Sequence, residues 1–164
     1  MNNEIKSELN AIFQKHNANK RAAAAKQTKE SKEVAFLKQF LDMRESVIRP
    51  AMQAIGEFIK GQGYDYEITT EEDGFRTEGP SHPLGLIPAS ICLRIMVDPN
   101  SRSDANPSFK AICDKNAQVV SFHEDTITPG RSGRASGAGT ALLSELNQEL
   151  VQKKILEVIR EVFS

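Results

Sequence analysis

The first 49 residues contain neither glycine nor proline, so nothing in them interrupts a helix. Their apolar residues fall into two clusters. Ile5, Leu9, Ile12 and Phe13 share one helical face. A second cluster runs on past Pro50. In it Val34, Leu41, Ile48 and Ile55 recur every seven residues, with Leu37, Ala51 and Phe58 in the companion heptad position, broken by Arg44. Phe36, Phe40, Met43 and Val47 widen that stripe beyond a coiled-coil seam, to a breadth suited to a sheet and a partner helix together.

Between the clusters, residues 14–33 have only alanines as apolar side chains. Asn17-Ala18-Asn19 offers a break, and the remainder reads as a connector, helical or partly disordered, with no face to bury. One helix unbroken from 3 to 60 would be about 85 Å long, more than a small domain can cover, so it would call for a partner chain. Pro50 predicts a kink, and Gly61-Gln62-Gly63 with Lys60 beside it predicts the helix stop.

Strand signals follow. Tyr64, Tyr66 and Ile68 alternate with polar residues, and Asp73-Gly74 turns toward a short strand at 75–77. Residues 79–88 hold three prolines and read as a loop. Ile91, Leu93, Ile95 and Val97 give the clearest strand; Phe109, Ala111 and Cys113 alternate in turn, and Asp114-Lys115-Asn116 leads into 119–123. Residues 128–139, rich in Gly, Ser and Arg, read as a flexible loop before a last helix over 140–163, with Leu142, Leu143, Leu146, Leu150, Ile155, Ile159 and Val162 on its face, supplemented by Val151, Leu156, Val158 and Phe163. The expected fold is α+β: a four-stranded antiparallel meander with helices on one face and a long N-terminal helical arm. The division is an arm and basic connector over 1–33 and a domain over 34–164.

Composition narrows the function classes. Net charge is −1 and the sequence pI about 6.3, which argues against a dedicated nucleic-acid module. Cys92 and Cys113 fall in predicted strands outside any CxxC pair and read as buried free thiols. No run is long enough to span a bilayer and the first residues show no apolar signal core, so the default expectation is cytoplasmic, with no membrane partner.

The candidate sites are few. Ile5, Leu9, Ile12, Phe13, Leu37 and Leu41 are the expected partner-binding residues. Lys20, Arg21 and Lys26 in the basic tract 15–29, with Arg131 and Arg134 in the loop 130–139, could meet phosphates or nucleic acid, yet no aromatic or amide residues stand ready for base readout. The glycines ahead of the last helix match neither a Walker loop nor a dinucleotide fingerprint, and no cofactor is expected. His123-Glu124-Asp125, His82, or Cys113 with His123 could in principle serve a metal or a nucleophile, without diagnostic spacing. The expectation is therefore a non-catalytic interaction protein, a dimerising adaptor, chaperone or assembly factor, using its N-terminal helices for self-association or for a protein partner. Nucleic-acid association is the alternative, and an enzyme with an unrecognised site the third reading.

Overall fold

The glycine- and proline-free stretch is helical from Asn3 onward in the computed structural model, which describes residues 2–76 and 85–164. Helix α1 covers Asn3–Met43. It does not break at Asn17 to Asn19: asparagine costs a helix only a fraction of a kcal/mol, and good helix formers flank it. By its contacts the chain divides into two units, Met1–Ala35 and Phe36–Ser164.

Where a kink is expected at Pro50, the helix takes a widened turn just ahead of it. Residues Arg44–Ile48 form a π-helical segment, in which the Arg49 N–H reaches the Arg44 carbonyl five residues back, and helix α2 then runs Arg49–Gly61. Proline has no N–H to offer the carbonyl four residues earlier and its ring crowds that carbonyl. A π turn just ahead of Pro50 accommodates the conflict. Here Arg44, which interrupts the heptad, finds its place. Its buried guanidinium donates to the Glu71 and Ser90 carbonyls at 3.4 and 3.5 Å, to Glu72 at 2.9 Å and to Glu45 at 3.2 Å.

Helix α2 stops where Gly61 and Gly63 predict, Gly63 taking a left-handed φ of 98°. Strand β1 (Asp65–Glu71) follows, then the short strands β2 (Gly74–Arg76) and β3 (Gly85–Ile87), which pair only with each other. Strands β4 (Ser90–Met96), β5 (Ser108–Asp114), β6 (Val119–Asp125) and β7 (Ala135–Ala141) complete the main sheet, in the order β1-β4-β5-β6-β7 with every neighbour antiparallel. The sheet thus has five strands, not four. The fifth begins inside the segment expected to be a flexible loop and runs on into the expected last helix.

Its sequence, Ala-Ser-Gly-Ala-Gly-Thr-Ala, has none of the alternation that marks β4 to β6. Strand β7 is held by ladder bonds to β6, with an irregularity between Ser121 and His123 where Gly139 adopts a φ of 92°. The turn that brings it back closes tightly: a Cβ on Gly133 would stand 2.5 Å from the Thr126 carbonyl oxygen. With β7 occupying 135–141, the last helix, α3, begins at Gln148 rather than Thr140 and ends at Val162. Asn147 caps it, its side-chain oxygen accepting the Leu150 N–H at 2.8 Å.

The core joins the helices to alternate residues of the strands. Phe36, Phe40, Ile48, Ala51 and Met52 meet Ile91, Leu93, Phe109, Ala111 and Phe122, and Val151, Ile155 and Val158 of α3 join the same cluster. Phe109 and Phe122 stack with ring centroids 5.7 Å apart. Gly56 leaves room for the Tyr66 ring, which a Cβ there would approach to 2.5 Å, and the Tyr66 hydroxyl donates to Glu57 at 2.6 Å.

Candidate interaction surfaces

Every residue from 2 to 32 is exposed, and the four residues of the N-terminal patch show it most plainly. Ile5, Leu9, Ile12 and Phe13 are 51, 40, 61 and 62% exposed. They stand on one face of α1 because a helix brings positions four, seven and eight residues apart together. Leu37 and Leu41, expected to bind a partner as well, instead pack half-buried against the core. Lys20, Arg21 and Lys26 lie on exposed turns of α1, and Lys20 and Arg21 border a shallow depression with Asn17 and Ala24.

A second apolar surface lies within residues 36–164, between α2 and α3. Ile55, Phe58, Ile59, Tyr64, Leu156, Ile159 and Phe163 line a groove of about 540 Å³. Phe58 is 70% exposed there, and Tyr64 packs on Phe163 with ring centroids 5.0 Å apart. Sequence periodicity assigns Phe58, Leu156 and Phe163 to buried stripes. The two helices meet along the centre of those stripes, and their flanks, left uncovered, form the groove walls.

The basic loop residues separate. Arg134 is engaged on three sides of its guanidinium and backbone. It pairs with the buried Glu124 at 2.6 Å and with Glu161 of α3 at 3.1 Å, while its amide donates to the Thr126 hydroxyl at 3.0 Å. The Arg134 hydrogen bond holds the Glu161 carboxyl below its ordinary range. These pairings tie β7 to β6 and α3, with the Arg134 side chain still 57% exposed. Arg131 is exposed, its amide closing a turn onto the Thr128 carbonyl.

Among the described residues, Cys92, His123 and Asp125 line one cleft, and Cys113 lies apart from them. Strand alternation puts Glu124 on the core side of β6 with Phe122, and His123 and Asp125 on the other. Cys113 pairs with Val120 and joins the core, so it lies on the opposite face of the sheet from His123 and the two cannot form a nucleophile pair. Burial pushes the Cys113 thiol up to about 11, leaving almost no thiolate near neutrality. Cys92 is on the His123 face, in a row that reads Thr69, Cys92, Lys110, His123 across four strands, so Lys110 stands between the two. Its thiol too is pushed up by burial. A shallow polar cleft of about 170 Å³ runs along this row, flanked by Arg94, which donates to the Asn106 carbonyl at 2.6 Å and faces Glu67. No three metal-ligating side chains converge among the described residues, and His82 lies outside them. No described helix is long and apolar enough to cross a membrane. Compared with protein-family models, curated proteins and solved structures, the chain matches none.

Proposed function

We propose that this is a non-catalytic interaction protein that self-associates through its N-terminal helix. The observation that carries the reading is the exposed patch of Ile5, Leu9, Ile12 and Phe13 on a helix whose residues 2–32 bury nothing within the chain. A helix without a packed face gains its order only from propensity, which is marginal in water. Four large apolar side chains on one face of such a helix mark a surface made for another chain. The net charge of −1 and the pairing of Arg134 with Glu124 and Glu161 weigh against nucleic acid as the partner.

The test is the mass of the intact chain by light scattering at tens of micromolar, for the wild type and for Ile12→Asp. A wild-type mass above one chain, reduced to one chain by the substitution, is the expected result. A monomeric wild type would remove self-association.

A further inference from the structure

We infer that the patch on α1 of one chain docks into the α2/α3 groove of a second copy, so that two chains exchange arms. The inference depends on the self-association proposed above and adds the receiving surface. The incoming face has the spacing of a helix-in-groove anchor set: Ile5, Leu9, Ile12 and Phe13 project at i, i+4, i+7 and i+8. The receiving groove is walled by two helices, and its apolar walls include Phe58, Leu156 and Phe163, each more than 40% exposed. A third helix laid along two others is ordinary helix packing.

Charge selects the occupant. Residues 1–35 carry seven basic and four acidic side chains, a net of +3; residues 36–164 carry fourteen and eighteen, a net of −4. An arm on a second copy's domain brings opposite charges together. Two arms packed in parallel would juxtapose their basic tracts, from Lys15 to Lys29, and repel. In a reciprocal exchange each arm fills the other chain's groove and the pair closes, whereas an unreciprocated contact would leave an arm and a groove free and grow into a filament.

The closing experiment oxidises mixtures of full-length chains carrying single cysteines, with the wild type, whose Cys92 and Cys113 are buried, as control. Phe13→Cys mixed with a size-tagged Leu156→Cys chain should yield the mixed cross-linked dimer in preference to either like pair. Salt should weaken the association, because opposite charges hold it. Leu156→Asp, at a position already exposed, should keep the melting temperature and weaken association about ten-fold or more, as expected when a buried apolar anchor is lost. Cross-links only between two Phe13→Cys chains would overturn groove docking and leave self-association standing. A Phe13→Cys/Leu156→Cys double variant that cross-links within one monomeric chain would overturn exchange between copies. A wild type that stays monomeric would remove both.

Discussion

Residues 3–32 and 36–59 are both helical and both free of obvious breaks apart from Pro50, yet they stand on different supports. The second stretch buries Phe36, Phe40, Ile48, Ala51, Met52 and Ile59 in a core with the sheet. The first buries none of its side chains. The difference is in the patterning between them. Phe36, Phe40, Met43 and Val47 beside the heptad make a face wide enough to close a sheet, whereas Ile5 to Phe13 make a narrow stripe with no local core to join. One half of the helix is explained by its own chain; the other points to a second chain.

Substitutions should separate the two halves in order of size. Phe40→Ala, at a fully buried position, should cost about 3–5 kcal/mol, read from denaturant unfolding followed by circular dichroism. A loss under about 1 kcal/mol would show that this face is not packed as described. Arg44→Ala should cost about 1–3 kcal/mol, since it strips donors from the Glu71 and Ser90 carbonyls and a partner from Glu72.

Surface charge offers a finer contrast. Arg134→Gln should lower the melting temperature near neutral pH, while Lys20→Gln should leave it unchanged. The Arg134 contribution has a definite pH window. The Glu161 carboxyl is held below its ordinary value in the folded chain, so the stabilisation is present above the ordinary carboxylate range and is lost as pH falls through the depressed value. The gap between wild type and Arg134→Gln should therefore narrow in acid; a gap that widens there would contradict the pairing. Smallest of all, Phe13→Ala should change the stability of 36–164 by no more than about 0.5 kcal/mol while weakening association.

Much of the domain was legible because its signals are side-chain signals. The alternation of Ile91, Leu93 and Ile95 and of Phe109, Ala111 and Cys113 gives β4 and β5, and Gly61 and Gly63 end α2 as expected. Strand β7 was not legible: its glycines, alanines and serine belong equally to a loop, and it becomes a strand through backbone bonds to β6 that leave no periodic mark. The start of α3 was overrun because Leu142, Leu143 and Leu146 continue its apolar pattern backwards, although Asn147 carries the cap signal. The groove escaped notice because periodicity reports which face of a helix is apolar, not how far a neighbour covers it. The N-terminal patch was visible from the start as apolar residues without a core.

Hydrogen exchange, resolved by peptide at two protein concentrations, tests the central claim most directly. Amides of 36–52, in the part of the helix away from the groove, should be protected equally at both, since their packing is internal. Amides of 3–32 should be weakly protected in dilute solution and gain protection at tens of micromolar, most of all around Ile5 to Phe13. Exchange of 3–32 that ignores concentration would contradict the account.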